Sequence, residues 1–139
     1  MKRFLQTTTH EEALNLMVLF LRIAVAVFMI QHGLPKLSKL LAGGEIQFGD
    51  PIGIGPALSL ILAVFAEFIC SILIGIGLGT RLATLPLMVT MFVAAFISHG
   101  GDPFSGKEKA LLYLLIYVAL FVLGSRKYSL DHLLSRKTS

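Results

Sequence analysis

Four apolar stretches dominate this 139-residue chain. Each is near the roughly 20 residues that an α-helix needs to cross a hydrocarbon core of about 30 Å. In lipid, a spanning segment must satisfy its own backbone donors and acceptors, which leaves the helix as the solution for segments of this length. The chain is therefore read as all-α, a polytopic membrane protein built as a four-transmembrane-helix bundle. Composition agrees: 55% of residues are hydrophobic and 14% are charged, against roughly 25% charged in a soluble domain. A second domain is not expected within this length.

The expected organisation is a tail over 1–12, a bundle over 13–124 and a second tail over 125–139. The spans are expected at about 13–34, 57–78, 82–98 and 107–123. Thr9 and Glu12 have capping-box spacing just before the first apolar run. Pro35 predicts a bend or an end to helix 1 near Leu34. The first run contains Arg22 and has no A-x-A cleavage site at its end, so it is expected to stay as an uncleaved helix.

Residues 37–55 are rich in glycine yet carry Ile46, Phe48, Ile52 and Ile54. That loop is expected to fold over the bundle mouth or to lie in the membrane interface. Pro56 suits the first turn of helix 2. Ser71, Gly75 and Gly79 recur at four-residue spacing, as in close helix packing. The turn Gly79-Thr80-Arg81 makes helices 2 and 3 an antiparallel hairpin. Gly124 is expected to end helix 4, and Leu130, Leu133 and Leu134 predict a short interfacial helix in the tail. Cys70 is the single cysteine, so no intrachain disulfide forms, and a small buried hydrophobe is expected there.

The net charge is +4 and the pI about 9.5. The charges are dispersed along a mostly apolar chain, so the excess reads as a topology signal and no nucleic-acid partner is expected. Lys2, Arg3, Arg81, Arg126, Lys127, Arg136 and Lys137 fall on one side, and Lys36, Lys39, Lys107 and Lys109 on the other. The excess of seven over four predicts both termini in the cytoplasm by the positive-inside rule.

Ionisable groups at membrane depth are costly and are retained where they pair or act on something. At 1.5 Å per residue, Arg22 lies roughly 12–14 Å and Glu67 roughly 18 Å from the cytoplasmic helix ends. An Arg22–Glu67 ion pair is expected from those levels. His32, Lys36, His99, Asp102 and Glu108 gather near the outer mouth. The expected ligand-binding pocket opens outward and comprises Arg22, His32, Lys36, Glu67, His99 and Glu108, with Glu67 and His99 as the candidate catalytic groups. Taken singly these residues have blander readings: an ion pair fixing helix register, wet histidines, snorkelling lysines, and Tyr113 and Tyr117 as a packing stripe.

No metal is expected. His32, His99, Glu108 and Asp102 lack an H-x-x-H, H-x-x-x-H or E-x-x-H pair on one helix. No phosphate loop, Ser–His–Asp arrangement or dinucleotide fingerprint is present, and Gly75, Gly77 and Gly79 lie in or at the end of a membrane helix.

Several pieces in order and spacing carry a family resemblance. They are LRIAVAVFMIQHGLPKL in helix 1, AEFICSILIGIGLGTRLA across the hairpin, FISHGG after helix 3, and KEKALLYLLIYVALFVLGSRKYSLD through helix 4. From about Leu14 to Asp131 the chain resembles the DoxX family of small four-helix bacterial membrane proteins. The resemblance implies a multi-pass protein of the bacterial plasma (inner) membrane. It implies that the family's recurring polar positions fall on Arg22, His32, Lys36, Glu67, Arg81, His99 and Glu108. The tail departs from the family's frequent Gly-Pro-Gly-Arg, having Gly-Ser-Arg-Lys from Gly124 to Lys127.

The resemblance also implies quinone-linked oxidation, through relatives that include thiosulfate:quinone oxidoreductase subunits and membrane oxidoreductase assemblies in oxidative-stress defence. The expected function is a quinone-interacting subunit of such a system, with lipid, quinone and oxidoreductase proteins as partners and no tightly bound cofactor of its own. A quinone needs an apolar slot and proton-exchanging groups at its carbonyls, and histidine is the side chain that ordinarily exchanges protons near neutral pH. The alternatives are a structural or assembly subunit without chemistry, and a small-solute or proton pathway.

Overall fold

The structure is a computed structural model that describes residues 10–137. Among the described residues the secondary structure is helical, with no strand. Helix α1 runs Glu11–Ala42, α2 Pro56–Ile76, α3 Thr80–Ser98, α4 Phe104–Leu123 and α5 Leu130–Lys137. Helices α1, α2 and α3 are long and apolar enough to cross a membrane. Helix α4 has 20 residues, with Lys107, Glu108 and Lys109 in its first turns.

Packing is most extensive between α1 and α2 and between α3 and α4, while α1 and α4 touch more sparsely. The core between them is aliphatic, with Val25, Met29, Ile74 and Leu87 almost fully buried. Large apolar side chains such as Phe20, Phe28, Val89 and Leu115 remain exposed on the outer faces, the pattern of helices that meet lipid. Tyr117, among the described residues the one large aromatic that is fully buried, stacks on Tyr113 with ring centroids 6.2 Å apart. Cys70 is free and buried.

One expectation about helix 1 is corrected, and a second falls outside the described residues. The helix does not stop near Leu34: it continues through Pro35 to Ala42. Contacts on either side of the proline, at Gly33 and Lys36, hold the two halves against α2. A proline inside a membrane helix is tolerated when neighbours stabilise the turn. At the other end, His10 occupies the N-cap without a side-chain hydrogen bond; Thr9 of the expected capping box lies outside the described residues.

Helices α1 and α2 approach closely at two places. A Cβ on Gly33 would lie 2.9 Å from the Glu67 carbonyl carbon, and one on Gly75 would lie 3.3 Å from the Ala26 Cβ. Small residues therefore do set the contact. Gly79, the third member of the expected stripe, is outside the helix and takes no part; it is the left-handed residue before α3. Helix α2 ends earlier, at Gly77, with φ +75°.

Loop 43–55 packs across the end of the bundle between α1 and α2. Asp50 pins it: its carboxylate accepts the backbone N–H groups of Ile54 at 2.9 Å and Gly55 at 2.8 Å, and the Ser59 hydroxyl at 3.0 Å. At the opposite end the tail returns to the bundle. Its short helix α5 exposes Leu130, Leu133 and Leu134.

Candidate functional site

Glu67 is 4% exposed although it lies in the middle of an apolar helix. It belongs to a π-helical turn, Phe65–Cys70. A second such turn, Ala94–Ser98, ends α3. A π-turn inserts one residue into the helical register and re-aims the side chains around it. These two turns face the same space: Glu67 and Ala94 each line both cavities described below.

Lys36 is the partner of Glu67. Its Nζ donates to both carboxylate oxygens, each at 2.5 Å. The geometry follows from helix direction. Side chains on a helix lean toward its N-terminus, so Lys36 reaches back by one turn to the level of Gly33, where the α1 backbone rests on Glu67. The carboxylate is 5% exposed in its side chain and the lysine 29%, so the buried charge is compensated and the lysine stem leads to the surface.

The expected Arg22–Glu67 pair is not formed. Arg22 is 1% exposed and spends its donors on backbone carbonyls instead. Nε donates to Ile74 at 3.0 Å, Nη2 to Gly75 at 3.2 Å, and Nη1 to Ser125 at 2.6 Å and Tyr128 at 2.8 Å. The last carbonyls of a helix have no intrahelical partner, and the fork of a guanidinium can serve several at once. The levels explain the difference. The Arg22 guanidinium meets the Ile74 and Gly75 carbonyls, and Arg22 lies eleven positions before Gly33, the residue that rests on Glu67, thus about 16 Å away along the axis. The expectation took the helix ends as flush, whereas α1 overhangs α2 by more than two turns, and the tail packs on that overhang. There Arg126 pairs with Glu11 at 3.2 Å and Lys127 with Glu12 at 3.1 Å, while the Tyr128 hydroxyl also donates to Glu12.

Two cavities flank the Lys36–Glu67 pair. One has a volume of about 410 Å³ and opens between α1 and the α3–α4 pair, on the side where α1 and α4 touch sparsely. Its polar wall includes His32, Lys36, Glu67, His99, Lys109 and Tyr113. His32 is exposed and meets Tyr113 edge-on, ring centroids 6.1 Å apart. His99 directs Nδ1 to the Asp102 carboxylate at 2.7 Å, and Lys107 donates to the Gly100 carbonyl at 3.2 Å. The second cavity, of about 190 Å³, lies beneath loop 43–55 and is mostly apolar, with Phe48, Ile52, Ile54 and Val93 on its walls.

Of the six expected pocket residues, the structure brings together His32, Lys36, Glu67 and His99. Arg22 lies outside, toward the opposite end. Glu108 is exposed and lines neither cavity. Sequence reasoning set Lys109 and Tyr113 aside as solvated and packing residues, and both line the polar cavity. Their position one turn apart on α4, on the face that looks toward α1, was the available signal. Among the described residues, no three His, Cys, Asp or Glu side chains converge as a metal ion would require. Chemically the arrangement offers hydrogen-bond donors and proton-exchanging groups against an apolar slot.

A family model described as DoxX matches residues 17–100. An uncharacterized protein of Haemophilus influenzae (strain ATCC 51907 / DSM 11121 / KW20 / Rd) is 35% identical over 128 residues, which span 85% of this chain and 90% of that protein. No solved structure matches the chain.

Proposed function

The chain belongs to the DoxX family, and from that premise we propose that it is a quinone-interacting subunit of a membrane oxidoreductase system. One observation carries this reading: a Lys36–Glu67 ion pair with a buried carboxylate stands in the wall between a polar cavity with two histidines and an apolar cavity. Quinones are rings with two carbonyl acceptors on an apolar chain, and both halves have a counterpart here.

In this reading His32, His99 and Lys109 offer hydrogen bonds to the ring carbonyls. Converting a quinone to its quinol takes two electrons and two protons. A partner oxidoreductase supplies the electrons, and the groups of the polar cavity exchange the protons. Glu67 and Lys36 set the field beside the ring.

The topology belongs to the same proposal. Helices α1 to α4 are four spans of a multi-pass protein in the bacterial plasma membrane, with both termini cytoplasmic. Helix α4 joins them because Lys107 and Lys109 sit in its first turns, where their stems snorkel to water, and 14 apolar residues follow from Ala110 to Leu123. A reporter fused at the C-terminus tests the orientation; activity specific to the outer face would reverse it.

The functional test is a mass-spectrometric inventory of quinones and lipids that co-purify with the wild type and with Glu67→Gln. Stoichiometric quinone in the wild type, lost in a folded variant, is the expected result. No quinone in either sample overturns the reading, and a reproducible protein partner in that case points to a structural or assembly subunit.

A further inference from the structure

We propose that the cavity beneath loop 43–55 is a second compartment of the same site, one that takes the first segment of the ligand's hydrocarbon chain. This rests on the quinone reading and extends it to which part of the ligand the loop reads.

The walls of this cavity offer a ligand little polar chemistry. Lys36 is taken by Glu67, the Ser59 hydroxyl by Asp50, and the Thr90 hydroxyl by the Pro86 carbonyl at 2.8 Å. What remains is mainly aliphatic and aromatic surface from both sides. Phe48, Ile52 and Ile54 come from the loop, and Leu62, Ala63 and Val93 from α2 and α3. An apolar cavity of about 150 Å³ admits one benzene-sized molecule, so about 190 Å³ suits a short hydrocarbon segment and excludes a substituted ring with its chain. The polar cavity, at about 410 Å³, has room for the ring. Because Lys36, Glu67 and Ala94 line both, an amphiphile whose ring meets the ion pair from one side directs its chain past the pair to the other.

The loop also has the construction of a cover. Its inner end begins at Gly43 and Gly44, with φ +70° and +84° and open space around both. Its outer end is tied by the three Asp50 hydrogen bonds. Phe48 lies over the Lys36 ammonium, 5.9 Å from ring centroid to nitrogen. The loop can therefore lift at these ties without opening the helix core, which gives a chain its entry.

The experiment compares two probes on the full chain in detergent. One is 2,3-dimethoxy-5-methyl-1,4-benzoquinone without a chain; the other is the same ring carrying an isoprenoid chain. The readout is the ratio of their dissociation constants in the wild type and in two cavity-filling variants, Ala63→Leu and Val93→Phe. The chain should tighten binding at least tenfold in the wild type. Filling the cavity should cut that advantage below threefold in whichever variant keeps its thermal transition. An unchanged advantage in both variants overturns the chain compartment and leaves the quinone reading standing. Failure of both probes to bind the wild type overturns the quinone reading, and this inference with it.

Discussion

Lys36 and Glu67, 31 positions apart in sequence, share a carboxylate–ammonium contact in which the lysine nitrogen lies 2.5 Å from both oxygens. The two ends of the pair are unequally buried, and this sets how each responds to mutation. Lys36→Met strands a carboxylate whose side chain is 5% exposed, and removing one partner of a buried pair costs about 3–5 kcal/mol. Glu67→Gln leaves an acceptor in place beside a lysine that reaches water, so the expected loss is about 1 kcal/mol. Replacing both with methionine should recover most of what Lys36→Met loses. Thermal unfolding in detergent measures the series, and equal losses for the two single variants would contradict the asymmetry.

Arg22 and Glu67 act in separate networks, and their double-mutant cycle should show it. Arg22→Met removes hydrogen bonds to four carbonyls that join α1, the end of α2 and the tail. Its loss should exceed about 3 kcal/mol, since buried polar groups are left without partners. Arg22→Lys should recover little, because one ammonium cannot reproduce the planar fork. The coupling between Arg22→Met and Glu67→Gln should be within about 0.5 kcal/mol of zero, as for sites without shared partners. A coupling of several times that size would restore the direct pair.

How far the sequence reaches is clear from this region. The four bundle helices follow from apolar runs punctuated by Pro56, the Gly79-Thr80-Arg81 turn and Gly124, all local signals. Glu67 was identifiable as a costly group in an apolar helix, and Lys36 as a lysine near the outer mouth. Which cation meets Glu67 was not, because that depends on how far α1 slides past α2. The slide is set by contacts distant in sequence: Gly33 on the Glu67 backbone, and the tail docking on Arg22. Gly33 one turn before Lys36 was the local hint that the close approach lies there. The π-turns at 65–70 and 94–98 left no pattern in the sequence that marks an inserted residue, and they are what aim Glu67 and Ala94 into the cavities.

Gly77 joins the tail to the bundle by having no side chain. A Cβ there would lie 2.5 Å from the Ser129 Cβ and 2.6 Å from Arg22 Nη2, and its φ of +75° is unfavourable for any other L-residue. The Asp131 N–H also donates to the Gly77 carbonyl at 3.0 Å, and the Asp131 carboxylate receives the Gly79 N–H at 2.8 Å. Gly77→Ala should therefore cost at least the 1–3 kcal/mol typical of a strained backbone position and loosen the segment from Ser125 to Asp131. Limited proteolysis at the tail reads the second effect. A tail as resistant as in the wild type would mean that the docking does not depend on this glycine.

Asp50 gives the loop a dependence on acid. The Gly55 N–H, the Ser59 hydroxyl and the Ile54 N–H hold its carboxyl below the ordinary carboxylate range, the Gly55 bond contributing most. For a group whose folded pKa is depressed, the stabilisation is fully present above the unfolded value, about 3.9 for aspartate. It is lost as the pH falls through the lower folded value. Loop 43–55 should thus hold its closed arrangement through neutral and mildly acidic pH and open only below about pH 4. Asp50→Asn removes the charged acceptor, so the loop should open more readily at neutral pH, with a flat profile in acid. Hydrogen exchange of the Ile54 and Gly55 amides, which bond to Asp50 directly, follows the change. Identical exchange in the wild type and the variant at pH 7 would show that the carboxylate does not hold the loop.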